Sequence, residues 1–167
     1  RVEPEWVEVT QRTLSLPRLD PAFDGFRLVH ISDIHMDGWM DGDRLSGLVS
    51  QVNALQPDLV AITGDLVTRS LHDHYAELAQ GLGELRAEHG SLAVLGNHDY
   101  YSGPGKVRQA LKTAGVRELP NQVWTLQNGS ARLHVAGLDC AYFDHNRLEK
   151  VLRQLPQDGN AAILLAH

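Results

Sequence analysis

A chain of 167 residues with a formal net charge of −6 has room for one domain with a real core, and it lacks the basic balance of a non-specific nucleic-acid binder. Its single cysteine, Cys140, excludes an internal disulfide framework and a thiolate metal cluster, and reads as a small buried apolar residue. No apolar run approaches the roughly 20 residues that span a bilayer, and no signal peptide is visible.

In chain order, residues 6–16 alternate loosely and read as an edge strand, broken by the Pro17–Pro21 stretch. Phe26–Ser32 reads as a central strand. The loop after it carries Asp33 and His35, with Gly38 and Gly42 to turn the backbone. Leu45, Leu48, Val49 and Val52 recur at helical spacing, and Pro57 lies just past that helix. The apolar run Leu59–Ile62 leads into Thr63-Gly64-Asp65. Tyr75, Leu78, Leu82 and Leu85 mark a second helix, with Asp73 as its N-cap and Gly90 as its stop. The strand from Ser91 to Leu95 leads into Gly96-Asn97-His98-Asp99.

Pro104 opens a further helix with Val107, Ala110, Leu111 and Ala114 on its apolar face, and Gly115 suits the position past its end. Val123–Gln127 and Arg132–Ala136 read as strands joined through Asn128-Gly129, a strong hairpin signal. Leu148, Val151, Leu152 and Leu155 make a last helix ended by Pro156, and a last strand runs through Ala161–Ala166 to His167. Strand–helix alternation followed by a hairpin implies an α/β fold with a mixed sheet.

Four times an apolar strand ends in a carboxylate, amide or imidazole, and ligands of open α/β sheets bind at such strand ends. Asp33, His35, Asp65, Asn97, His98 and His167 are therefore expected to converge. Asp33 and His35 are two apart, so in an extended segment they face the same way and can hold one cation. Asp65 has two oxygens and can bridge two cations; Asn97 offers a carbonyl and His167 an imidazole. By the same extended-chain reasoning, His98 points away from Asn97 and Asp99. This oxygen–nitrogen set, without sulfur, suits Mn, Fe or Zn. Two such ions about 3.5–4 Å apart can clamp a phosphoryl group and activate water. Gly64 and Gly96 are expected to allow tight turns that bring the backbone close.

Asp33-Ile34-His35, Gly64-Asp65 and Gly96-Asn97-His98-Asp99, in this order and at these separations, resemble the calcineurin-like metallophosphoesterases. The wording of the motifs, including Thr63-Gly64-Asp65-Leu66-Val67 and Gly96-Asn97-His98-Asp99-Tyr100-Tyr101, is most similar to the bacterial YkuE-type branch, which includes phosphodiesterases of lipid precursors. The resemblance covers residues 26–167 and leaves 1–25 as an N-terminal edge strand and linker. It implies two mixed β-sheets packed as a sandwich with flanking helices in four layers. It implies that Asp33 and His35 bind a first divalent metal, that Asp65 bridges, and that Asn97 and His167 bind a second. His98 then protonates the leaving group or steadies the phosphate, oriented by Asp99. The implied activity is hydrolysis of phosphate mono- or diesters, a nucleotide-sugar or lipid-linked pyrophosphate included, by metal-activated water. The implied partners are such small or lipid-linked substrates rather than nucleic acid, with peripheral membrane association allowed. The location implied is cytoplasmic or attached to the inner membrane.

The family pattern continues with a Gly-His-x-His motif downstream of the His167 equivalent. The chain also opens on Arg1 rather than Met. Both features are expected of a piece of a longer protein. Two other functions fit the residues: a non-catalytic metal-binding regulatory or scaffold module of the same fold, and a mononuclear metal hydrolase acting on a non-phosphate bond. His30 reads as structural, His72 and His74 as loop residues, and His89, His134 and His145 as surface or packing. Trp39 and Met40 read equally as an apolar wall or as loop anchors, and Tyr100 and Tyr101 as pocket lining or not.

Overall fold

The computed structural model describes residues 7–68 and 74–167. Among the described residues, a 3-10 turn at Pro21–Phe23 is followed by seven strands and five α-helices: β1 (Leu28–Ile31), α1 (Gly42–Ala54), β2 (Leu59–Thr63), α2 (Tyr75–Gly83), β3 (Ser91–Val94), α3 (Asn97–Ser102), α4 (Pro104–Thr113), β4 (Arg117–Glu118), β5 (Gln122–Asn128), β6 (Ala131–Gly137), α5 (Leu148–Gln154) and β7 (Ala162–Leu165). Among the described residues they build two sheets, one of order β1-β2-β3-β4 and one of order β5-β6-β7.

The first sheet is parallel throughout, because a helix returns the chain between each pair of its strands. The second is mixed: β5 and β6 form an antiparallel hairpin, and β7 joins β6 in parallel. The implied pair of mixed sheets therefore holds for one sheet only. β2 shows how the layers stack. All five of its residues are buried, and successive side chains point to opposite faces. Val60 and Ile62 pack with Leu45 and Val49 of α1, Leu78 and Leu82 of α2, and Val107 and Leu111 of α4. Leu59 and Ala61 pack on the other face with Leu126, Leu133 and Val135 of the second sheet. Helices thus cover one face of the parallel sheet, the second sheet covers the other, and α5 lies beside β5.

Several expectations change. Residues 7–16 form no strand; they are almost wholly exposed, with Leu14 at 74%, and no strand among the described residues pairs with them. Trp6 lies outside the described residues. β1 is the edge of its sheet rather than central, and β2 and β3 are the inner strands, consistent with the half-buried pattern of β1. α2 ends at Gly83, and Gly90, at φ +80, belongs instead to the turn into β3. Asp73, expected to cap α2, lies outside the described residues. The hairpin loop is Gly129-Ser130, since Asn128 still pairs with Ala131; Gly129 takes φ +61 at the first loop position. β4 is too short to show a period, and its Glu118 is held by Arg108 at 2.9 Å.

Candidate metal centre

Four strand ends meet at one place. Asp33 and His35 follow β1, Asp65 follows β2, Asn97 and His98 follow β3, and His167 follows β7 of the other sheet. Ligand-capable atoms of Asp33, His35 and Asp65 all lie within 4.8 Å of one another. His35 Nε2 is 3.7 Å from Asp33 Oδ1 and 3.6 Å from Asp65 Oδ2. His167 Nε2 approaches the same Asp65 Oδ2 at 3.4 Å. One carboxylate oxygen thus faces two imidazoles, and the other, Oδ1, accepts the His98 backbone N–H at 2.9 Å. The Asp65 side chain is nearly buried whereas that of Asp33 is half exposed, so the cluster opens to solvent on the Asp33 side.

The backbone produces this convergence differently from the extended-chain expectation. Asp33, His35 and Asp65 all have left-handed backbones, with φ of 55°, 50° and 53°. Such conformations cost non-glycine residues energy and persist where surrounding bonds over-determine them. Those bonds are present: Asp33 N–H donates to Gly64 O at 3.1 Å, His35 N–H to Asp65 O at 2.9 Å, and Met36 N–H to Leu66 O at 2.9 Å. The two loops therefore run side by side, and the kinks turn both side chains of the first loop toward Asp65. Gly64, at φ +82, continues the bend. Gly96 is needed for a different reason. Its backbone is extended, but a Cβ there would collide with the Asp65 carboxylate and lie 2.6 Å from its backbone nitrogen.

Both imidazoles are fixed by their second nitrogen. His35 Nδ1 lies 2.9 Å from the Thr68 hydroxyl, and His167 Nδ1 lies 2.7 Å from the Thr63 carbonyl. A carbonyl only accepts, so His167 Nδ1 carries a proton and Nε2 is the nitrogen that faces Asp65. Partners of this kind orient metal-binding histidines. The Ser32 hydroxyl donates to Asp33 Oδ2 and ties that carboxylate to the end of β1. Thr68 and Thr63 escaped the sequence reading because a hydroxyl or carbonyl has no motif of its own.

The Gly-Asn-His-Asp stretch starts a helix instead of extending β3. Asn97 and His98 are the first residues of α3 and therefore point about 100° apart around its axis, not in opposite directions. The His98 ring meets the His35 ring edge-on at 4.8 Å and the Tyr101 ring, one helical turn on, at 6.1 Å. Asp99 is fully buried and does not orient His98. Its carboxylate accepts N–H bonds from Gly96 at 2.9 Å, Leu66 at 2.8 Å and Val67 at 3.2 Å. It locks the loop after Asp65 to the start of α3, closing the reciprocal half of a capping box. Burial, outweighing those N–H bonds, pushes its pKa up to about 6.

Residues 26–167 match the family described as calcineurin-like phosphoesterase. The chain belongs to this family. The metallophosphoesterase YkuE of Bacillus subtilis is 31% identical over 99% of this chain and 59% of its own length. A transmembrane protein with a metallophosphoesterase domain from Danio rerio is 32% identical over 96% of this chain and 39% of its own length. The UDP-2,3-diacylglucosamine pyrophosphatase LpxG of Chlamydia muridarum is 28% identical over 98% of this chain and 47% of its own length. The chain thus spans about two fifths to three fifths of these relatives. The solved NAD nucleotidase NadN of Haemophilus influenzae shares the fold, with a TM-score of 0.50 at 16% identity over 68% of this chain and 26% of that one.

The metallophosphoesterase cluster fits a divalent cation. Its donors are carboxylate oxygens and imidazole nitrogens that approach one another at 3.4–3.7 Å around Asp65, a set that suits borderline and hard metals rather than soft ones. The remaining histidines do other work. His30 bonds the Thr63 hydroxyl at 2.7 Å. His134 is buried between the Thr125 hydroxyl at 2.8 Å and Asp158 at 3.1 Å. His89 and His145 stack on Phe26 and Tyr100. His74 faces Glu77 at 3.2 Å, and His72 lies outside the described residues. Cys140 is buried. Met40 packs on the core, and Trp39 lies under the Arg44 guanidinium at 4.3 Å; the Asp37 carboxylate accepts the backbone N–H of both.

Proposed function

We propose that this metallophosphoesterase domain hydrolyses phosphate esters with two divalent cations drawn from Mn, Fe and Zn. Asp33 and His35 would hold one, Asn97 and His167 the other, and Asp65 would serve both. The observation that carries the reading is Asp65 Oδ2, which faces His35 Nε2 at 3.6 Å and His167 Nε2 at 3.4 Å. When bound, such cations neutralise phosphoryl oxygens and lower the pKa of water. The chain's own residues do the rest. Thr68 and Thr63 hold the two rings so that both Nε2 atoms face Asp65. Asp99 holds the Asp65 loop against α3, so the bridging carboxylate does not drift. His98 stands beside His35, edge-on to its ring, where it donates a proton to the departing ester oxygen.

Among finer readings, a nucleotide-sugar or lipid-linked pyrophosphate is supported by the relative named as a UDP-2,3-diacylglucosamine pyrophosphatase. A position at a membrane is supported by the relative named as a transmembrane protein. Among the described residues no helix is long and apolar enough to cross a membrane. The deciding experiment takes the full-length protein, measures its metal content, and follows hydrolysis of bis-p-nitrophenyl phosphate, p-nitrophenyl phosphate and a nucleotide-sugar before and after chelation. Turnover that chelation abolishes and Mn²⁺ restores is expected. Stoichiometric metal with no turnover on any of the three would turn the reading toward the scaffold module.

A further inference from the structure

Beside the metal centre lies an aromatic surface that neither the cluster nor the core accounts for. Tyr101 of α3 and Tyr142 of the loop after β6 are 46% and 71% exposed. Their ring centroids are 5.8 Å apart, and Phe143 sits against both, at 5.0 Å and 5.2 Å. The neighbouring Tyr142 hydroxyl holds the Tyr101 phenol above its ordinary range.

The surface is built, not incidental. Tyr100, the residue before Tyr101, donates its hydroxyl to Asp139 at the base of the same loop at 2.7 Å and stacks on His145 at 4.8 Å. Asn121 accepts the Arg147 N–H at 2.7 Å and donates to the His145 carbonyl at 2.9 Å, closing the far end of the loop. The loop is thereby fixed to α3 while Tyr101 and Tyr142 keep their faces in solvent.

We propose that Tyr101 and Tyr142 form a stacking platform for a nucleobase carried by the ester, so that the favoured substrates are nucleoside phosphates. This rests on the phosphoesterase reading of the adjacent cluster. Position supports it: the His98 ring meets the His35 ring at 4.8 Å and the Tyr101 ring at 6.1 Å, so the tyrosines lie next to the imidazole that stands beside the cluster. Shape and polarity select the occupant. A hydrocarbon chain gains most from enclosure by apolar walls, whereas this surface is open and tipped by two hydroxyls. A planar base gains from face contact with an exposed aromatic ring without enclosure, about 10-fold in affinity per stacked base.

The test uses the full-length protein and uridine 5′-monophosphate, ribose 5-phosphate and octyl phosphate. With metals bound, kcat/KM is expected to favour the uridine ester over the ribose ester by about 10-fold. Tyr142→Ala and Tyr101→Ala should erase that ratio through KM, and Tyr142→Phe should retain it. In chelated protein, saturation-transfer NMR should show the uracil protons in contact with wild type and not with Tyr142→Ala. An unchanged ratio in both alanine variants, or an equal loss on octyl phosphate, would overturn the platform. If no ester is hydrolysed but uracil contact depends on Tyr142, the platform stands and the phosphoesterase reading falls. Hydrolysis without preference for the base does the reverse.

Discussion

Asp65 closes a strand of one sheet and His167 follows a strand of the other, yet Oδ2 of the first lies 3.4 Å from Nε2 of the second. The centre is thus a joint between sheets, reinforced by the bond from His167 Nδ1 to the Thr63 carbonyl beside Asp65. Because the same oxygen also faces His35, Asp65→Ala should empty both metal positions together, whereas His167→Ala should empty one. Metal analysis of the full-length variants checks this. Two ions retained in Asp65→Ala would remove Asp65 from the bridging position.

Gly96 gives a second prediction. A Cβ there would stand 2.8 Å from the carboxyl carbon of Asp65, closer than real Cβ atoms come. Gly96→Ala should therefore displace the carboxylate, destabilise the fold by about 1–3 kcal/mol and lower metal content. Gly105, in the first turn of α4, has nothing within 4 Å of its Cβ position. Gly105→Ala should stabilise by about 0.4–1 kcal/mol. Denaturant unfolding of the pair separates the two effects, and equal stability would show that Gly96 is not tightly packed.

The contrast between those glycines shows what a sequence can and cannot convey. The apolar runs of β2 and β3, the helical spacing of α1 and α4, and the polar residue ending each strand were all legible, because burial writes a period into the chain. The kinks at Asp33, His35 and Asp65 were not, since neither Asp nor His announces a left-handed backbone. α3 was hidden because six residues of composition Asn-His-Asp-Tyr-Tyr-Ser carry no apolar stripe; its start is fixed by Asp99 reaching back to Gly96, a contact that also reassigns Asp99 from orienting His98. The alternation of residues 7–16 misled for the opposite reason, a period with no partner strand to use it.

Asp158 supports a pH prediction away from the centre. Hydrogen bonds from the Asn160 side chain and backbone N–H, and then from His134, hold its carboxyl below the ordinary value of 3.8. A carboxylate with a depressed folded pKa binds its proton more weakly in the folded state than in the unfolded one. Its contribution to stability is therefore complete above about pH 5 and is lost as pH falls below the unfolded value. Asp158→Asn should be less stable than wild type at neutral pH, and the difference should shrink as unfolding is measured below pH 4. A gap that widens on acidification would contradict the assignment.

His98 gives the last prediction. Its backbone N–H is bound to Asp65, but its ring lies edge-on to the rings of His35 and Tyr101. Removing the ring should leave the metals in place. If the ring donates a proton to the departing oxygen, His98→Ala should lower kcat by roughly 10²–10⁴ on an ester whose leaving group is an alkoxide. The same change should matter far less for p-nitrophenolate, which departs without a proton. His98→Ala thereby separates from Asp65→Ala, which should lose activity on both substrates because its metals are gone. Metal content and paired kinetics on the two leaving groups supply the measurement. Equal losses on both, with metals retained, would reject the proton donor and leave His98 as a group that positions the phosphate against the cluster.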